Sequence, residues 1–376
     1  MTGPMWRPPV RDGRPAVACV GETMVSFIPS DGTALDATAS VGLDIAGAES
    51  NVAMYLADHG LDARWVSRLG DDAFGRRVLH RVRTAGVDVS GVVTDPVRPT
   101  GLLFKDPAEN GRTRVSYYRQ GSAASAMGPY VLDEEVMRTA DVWHFTGITP
   151  ALSMTCRDLV EAAIGGDGPT VSFDVNLRPA VWREAPGGLL RRLAQAADIV
   201  FVGLDEAQAL WGDELREPSD VRALLSRPRV VVVKDGARAA TAFFGESRTC
   251  VPALAVQVVE LVGAGDAFAA GFLAGLLRGE SAERCLRLGH LTAASALSVV
   301  GDHGPLLDEA EMEYLLGASA EVWSAWHAGR VISQPADLRL TPHAAAGAAG
   351  GFRCRPGPVA AASSTWPGRV GAGRWR

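Results

Sequence analysis

No apolar stretch in the 376-residue chain approaches the ~18 residues that a helical membrane span requires, so the membrane is not an expected partner. The first fifteen residues hold proline and arginine but no apolar signal core, which argues against secretion. Cysteine is sparse. Cys19, Cys156, Cys250, Cys285 and Cys354 are scattered, odd in number and without metal-ligand spacing, the usage of reduced buried thiols in a cytoplasmic protein. Positive charge is in deficit: the formal net charge is −6, which supports neither nucleic acid nor an anionic membrane surface as a main partner. A protein of this charge that binds an anionic ligand must carry its positive potential locally. What is present is ordinary globular composition, 47% hydrophobic and 21% charged, in a length that suits one large α/β domain with a lid, or two domains.

Residues 1–15 are polar and proline-rich and read as a loose, flexible extension. Ala16-Val17-Ala18-Cys19-Val20 is a short apolar run ending in glycine, suited to a buried central strand. Val52, Tyr55, Leu56 and His59 share one side of a helix that Gly60 would cap. A strand over 63–69 and a helix over 74–85 follow. Further strands are expected at 142–145, 170–174, 199–202 and 230–234, and helices at 155–163 and 188–196. This alternation predicts an α/β fold, a doubly wound and mostly parallel sheet flanked by helices. Two stretches break it, about 23–46 and 97–125. In the second, Thr100 to Lys105, the turn Glu109-Asn110-Gly111-Arg112 and Thr113 to Tyr118 read as a hairpin. Together the two inserts predict a small β lid. Residues 16–332 are then one domain, and the Ala-, Gly-, Pro- and Arg-rich segment 333–376 is expected to be a disordered tail.

The segment that carries chemistry is Gly263-Ala264-Gly265-Asp266, followed by Phe268, Phe272, Leu273 and Leu276 at helical spacing. Small residues at a helix start let successive N–H groups close round a phosphate, and the helix dipole adds attraction for negative charge. Asp266, at the edge of that cradle, is placed to accept a proton from an attacking hydroxyl. Taken alone, the segment is equally well read as a capped helix start.

At this point the chain resembles the ribokinase-like, or PfkB, family of carbohydrate kinases. Gly263-Ala264-Gly265-Asp266 with Ala270-Gly271-Phe272-Leu273 is similar to its C-terminal signature. Gly47-Ala48-Glu49-Ser50-Asn51-Val52-Ala53, then Gly60 and Gly70, approximates its N-terminal one. The resemblance covers roughly residues 15–317. It implies Asp266 as catalytic base and the backbone of Gly263, Ala264 and Gly265 as anion hole. It implies ATP and Mg2+ as cofactors, with a monovalent cation left open. Lys234 and Gly236 are then expected beside the nucleotide, and Asn176 near phosphate or sugar hydroxyls. Thr292, with the segment through Gly301-Asp302-His303-Gly304, is expected to flank the adenine. Glu206 is expected to position magnesium through water. The chain departs from the family's pattern in three places: Gly203 where the family often has asparagine, Leu103 where a tyrosine is frequent, and Glu260-Leu261-Val262 before the glycine segment. The last departure is expected to alter lid coupling or cation binding while leaving the cradle intact.

Gly47, Asn51, Tyr117, Arg119 and Arg178, with their neighbours, look like the substrate residues of 2-keto-3-deoxygluconate kinases. A sugar acid needs cationic recognition of its carboxylate, and two arginines offer planar forked donors; pairing of either arginine with a protein carboxylate is the structural alternative. Backbone near Gly47 offers close approach to sugar hydroxyls. The expectation is an ATP-dependent kinase of the primary hydroxyl of a sugar acid, with a homodimer or higher oligomer formed through the lid. A neutral-sugar kinase such as a fructokinase, a nucleoside kinase and a non-catalytic nucleotide-binding relative remain as alternatives.

Overall fold

The structure is a computed structural model that describes residues 5–11, 13–107 and 113–323; all of them fall in one compact unit, Met1–Leu340. Thirteen strands are seen among these residues: β1 (Ala16–Val20), β2 (Met24–Pro29), β3 (Val41–Ala46), β4 (Asp62–Gly70), β5 (Val92–Asp95), β6 (Leu102–Pro107), β7 (Thr113–Tyr118), β8 (Val142–Thr146), β9 (Thr170–Asp174), β10 (Ile199–Gly203), β11 (Val230–Asp235), β12 (Ala239–Phe244) and β13 (Ser247–Pro252). Nine form the main sheet in the order β13-β12-β11-β10-β9-β8-β1-β4-β5. Its strands from β11 through β5 run parallel, and β12 and β13 close one edge antiparallel.

Period-two alternation in β1 divides the molecule into two cores. Val17 and Cys19 pack with the helices Ala48–Asp58, Ala73–Thr84, Ala264–Leu277 and Ala282–Leu297. Ala18 and Val20 face the opposite side, with Met154–Gly165, Gly187–Ala196 and Leu204–Trp211. With both faces covered, the strands are nearly continuous apolar runs, as the alternation predicts. The helix Ala264–Leu277 is buried on all sides from Asp266 onward. Its glycines admit a close neighbour: a Cβ on Gly271 would lie 2.5 Å from the Leu288 carbonyl oxygen.

The two inserts form a separate sheet, β3-β2-β6-β7, with a small apolar core of Met24, Ala46 and Leu103 flanked by Val115 and Tyr117. The turn Glu109–Arg112 lies outside the described residues. Leu103 fills this core, which is why an apolar side chain serves where a tyrosine is frequent. Asp72 caps the helix Ala73–Thr84, accepting from the Gly75 N–H at 2.7 Å and the Thr100 N–H at 2.9 Å; it is a structural carboxylate. Trp143 and Trp211 donate to backbone carbonyls at 2.9 Å, and Trp182 packs against the second core, so the three are packing residues.

Two expectations change. The described part of the N-terminal extension is anchored rather than loose: Trp6 packs on the first core under the Arg229 guanidinium, and the Arg11 N–H donates to Asp141 at 3.0 Å. Strands β12 and β13, absent from the periodicity, arise because a hairpin through Gly245 (φ +58°) supplies β11 with an antiparallel partner. Cys19, Cys156 and Cys285 are free and buried. The expected tail, 333–376, lies outside the described residues. Among the described residues no helix is long and apolar enough to cross a membrane.

Candidate active site

Strands β9, β10 and β11 end side by side beneath the N-terminus of the helix Ala264–Leu277, and their last residues supply the polar groups. A cavity of about 660 Å3 opens there. Its polar end is lined by Asn176, Arg178, Glu206, Lys234, Gly265 and Asp266, and its apolar end by Leu254, Val256, Phe268, Ala293, Ala294 and Leu297. A cavity lined by charged groups beside a helix N-terminus and by an apolar wall suits a nucleotide, with phosphates at the helix N-terminus and base in the apolar part.

Gly263 adopts φ +83° at the helix N-cap, a left-handed conformation that glycine tolerates without strain. A Cβ on Gly263 would also come within 2.9 Å of the Asp302 carbonyl oxygen, and one on Gly265 within 3.4 Å of Lys234 Nζ. The Gly265 position thus sits bare beneath an ammonium group. Lys234 Nζ is itself held by Asp174 at 2.8 Å. Burial pulls the lysine pKa down, but the charges of Asp174 and Glu206 outweigh it and hold the pKa above the ordinary value. The group stays cationic where a phosphate would lie.

Asp266 is buried, with both carboxylate oxygens engaged. Oδ2 accepts from Asn51 Nδ2 and Oδ1 from Asn176 Nδ2, each at 3.0 Å. Asn176 reaches it from a strained position: it is the single non-glycine residue of positive φ (+37°) among the described residues, a conformation asparagine bears better than most. Burial pushes the Asp266 pKa up to about 7; the Asn51 hydrogen bond and the Arg178 charge oppose it, and Asp174 and Asp302 add to it. A carboxylate of this pKa is matched to taking a proton near neutral pH.

Glu206 lines the cavity, but its two oxygens accept from the Leu177 and Gly203 N–H groups, each at 2.8 Å. Burial raises its pKa against the opposing charge of Lys234. It holds the ends of β9 and β10 together. Among the described residues no group of three or more His, Cys, Asp or Glu side chains is placed to hold a metal ion. Gly236, in the turn after β11 at φ +52°, lines the cavity.

Two expectations are corrected. Thr292 does not face the cavity: it is buried, its hydroxyl donating to the Leu288 carbonyl and meeting His59 Nε2, both at 2.8 Å. Ala293, Ala294 and Leu297, the next positions on its helix, line the cavity instead. The segment 301–304 is likewise not beside the apolar end. Asp302 turns toward Asn51 and the lid, and His303 pairs with Asp58 at 2.8 Å.

The lid-side residues divide. Gly47 caps the helix that carries Asn51, and the space a Cβ would need is taken by Thr23 and the Glu22 carbonyl; its smallness serves packing of lid against sheet. Tyr117 lies under the Arg119 guanidinium, 5.6 Å from ring centroid to Cζ. Arg119 is bound to buried Glu22 at 2.5 Å, and Ser122 donates to the same carboxylate. Arg178 is half-buried, bonded through Nη1 to the Leu177 carbonyl at 3.1 Å, and faces the Asp266 cavity. Sequence reasoning missed Glu22, Asp174, Lys105 and the role of Asp302. Of these, Asp174 carried a signal, the last residue of a fully buried parallel strand, at the carboxyl end where such sheets bind ligands.

A model of the pfkB family of carbohydrate kinases matches residues 14–309. A 2-dehydro-3-deoxygluconokinase of Bacillus subtilis is 33% identical over 80% of this chain and 95% of its own length, and one of Thermoproteus tenax is 36% identical over 73% and 86%. Fructokinase-1 of Oryza sativa is 33% identical over 68% and 81%. Among solved structures, a PfkB protein from Polaromonas superposes with a TM-score of 0.70 at 32% identity, covering 77% of this chain and 98% of that one. A fructokinase with bound ATP from Xylella fastidiosa superposes with a TM-score of 0.65 at 26% identity, covering 76% and 93%.

Proposed function

The chain belongs to the pfkB family of carbohydrate kinases, and we propose that it transfers the γ-phosphate of ATP to the primary hydroxyl of a sugar acid, 2-keto-3-deoxygluconate, giving the 6-phosphate. One observation carries the reading: Asp266 is held between Asn51 and Asn176, at a glycine-lined helix start facing Lys234, with a pKa of about 7. Asp266 takes the proton of the acceptor hydroxyl as the hydroxyl oxygen bonds to the γ-phosphorus and the bond to the ADP oxygen breaks. The N–H groups of Ala264 and Gly265 and the Lys234 ammonium receive the charge on the transferring group. Bound magnesium would neutralise phosphate charge. The donors fit an ion held by phosphates and water rather than by a protein cage, because both Glu206 oxygens already accept backbone N–H groups.

Arg178 is the cation best placed for the acceptor carboxylate, since among the described residues its guanidinium hydrogen-bonds a backbone carbonyl and forms no ion pair. Arg119, already paired with Glu22, contributes through its remaining N–H groups. That pairing, with Leu103 in the lid core, is what favours the second reading, a neutral sugar such as fructose. The stacked Phe27–Phe104 pair, extended by Tyr118, gives one lid face an aromatic ladder and supports assembly through the lid.

ADP release over a panel of sugar acids, neutral sugars and nucleosides tests the assignment. The highest kcat/KM is expected on 2-keto-3-deoxygluconate. A higher value on fructose transfers the assignment to the second reading, and no turnover on any acceptor removes both.

A further inference from the structure

The chain contains two lysines among its 37 cationic side chains, Lys105 and Lys234; arginine occupies every other such position. Both lysines are ion-paired inside the protein, one on each side of the Gly263–Asp266 segment. Lys234 is accounted for above. Lys105 lies on the lid strand β6, on the face of Leu103, and is 4% exposed. Its ammonium meets Glu260 and lies 3.3 Å from Asp302 Oδ1. Burial weakens the ammonium, yet the charges of Asp302 and Glu260 overcome this and keep its pKa above the ordinary value.

Both carboxylates belong to the site rather than the lid. Glu260 lies three residues before the cradle and accepts from the Gly301 N–H at 3.0 Å. Asp302 Oδ2 accepts from Asn51 Nδ2 at 3.3 Å, and the same nitrogen donates to the Asp266 carboxylate. The main chain of Asp302 abuts Gly263 at the distance of a missing Cβ. The loop is braced from the far side, where Tyr55 Oη accepts the Gly304 N–H at 2.8 Å. Asp302 therefore touches the base through one amide and the anion hole through its backbone, and the charge that holds Asp302 comes from the lid.

We propose that Lys105 is a positioning residue that couples the lid to phosphoryl transfer, setting the orientation of Asp266 through Asp302 and Asn51. A compact ammonium suits a site bounded by two carboxylates, where a forked guanidinium would need room and in-plane acceptors. A lid that shifts carries Lys105 with it, so Asn51 is shared correctly between Asp302 and Asp266 only when the lid is seated. This rests on Asp266 being the base.

The test is a double-mutant cycle read by transfer of labelled phosphate. Lys105→Met, similar in length and uncharged, should lower kcat on the order of 10- to 100-fold, the size of a small misplacement of a reacting group, with the KM for ATP changed less than about twofold. In an Asp266→Asn background, where the base is already absent, Lys105→Met should cost nothing further in kcat. An equal loss in both backgrounds marks a merely structural residue and overturns the proposal, as does a Lys105→Met enzyme of unchanged kcat. Should Lys105→Met not fold, Asp302→Asn in the same cycle makes the same prediction, and an equal loss in both backgrounds again overturns it. Near-native turnover of Asp266→Asn alone would instead remove the base assignment, so the two failures are distinguishable.

Discussion

The two sides of Asp266 are built differently. The nucleotide side is made of strand ends, a helix N-terminus and an apolar wall, all part of the main sheet and its helices; its one ammonium, Lys234, is held by Asp174 from the neighbourhood of the same sheet. The lid side is made of ion pairs that cross between separately folded sheets and loops: Arg119 with Glu22, and Lys105 with Glu260 and Asp302. A rigid scaffold serves charge stabilisation, which needs donors already in place. Crossing ion pairs join the lid sheet to loops of the main domain, and the difference separates chemistry from acceptor choice.

The largest effect that would sharpen this comparison is on the nucleotide side. Lys234→Ala should lower kcat/KM for ATP on the order of 100-fold while the acceptor KM moves far less; equal effects on both substrates would break the division. Next come the arginines. Arg119→Ala leaves Glu22 buried without its partner and should destabilise the protein by roughly 3–5 kcal/mol, seen as a lowered unfolding midpoint. Arg178→Ala should raise the acceptor KM about tenfold with little change in stability, because among the described residues its guanidinium hydrogen-bonds a backbone carbonyl and forms no ion pair with a carboxylate. If thermal unfolding shows the two variants alike, the lid side is not organised as described.

The same division governs what could be read from the chain. The Gly263–Asp266 segment, Lys234 and Gly236 are legible because each depends on local geometry: a helix start, a strand end, a turn of positive φ. The parallel sheet is legible because strands buried on both faces write themselves as apolar runs, whereas β12, with its Ala-Ala-Thr-Ala start, takes its state from the hairpin partner. Thr292 was misplaced by one position on a helix, enough to turn a side chain from a cavity into a core. The lid pairings were illegible for a different reason. Glu260 and Asp302 lie 155 and 197 residues from Lys105 in the chain, and no periodicity marks which lid charge meets which loop carboxylate. The altered residues before the cradle did carry a hint, since Glu260 is the one that reaches the lid.

The most direct test of the central claim is Asp266→Asn, measured for turnover and for stability in the same preparation. The folded pKa of about 7 lies above the ordinary 3.8, so the folded chain binds this proton more tightly than the unfolded chain. That contribution to stability is full below about pH 4 and lost as pH rises through 7. Asparagine removes the cost of ionising the buried group, and Asn51 and Asn176 each keep a buried Oδ1 without a partner that can turn to accept its amide. The account predicts a fold as stable or more stable above pH 7, a kcat lower by about 10²–10⁴-fold, and loss of the limb on which wild-type kcat/KM falls below about pH 7. A folded Asp266→Asn protein with near-native turnover would contradict it.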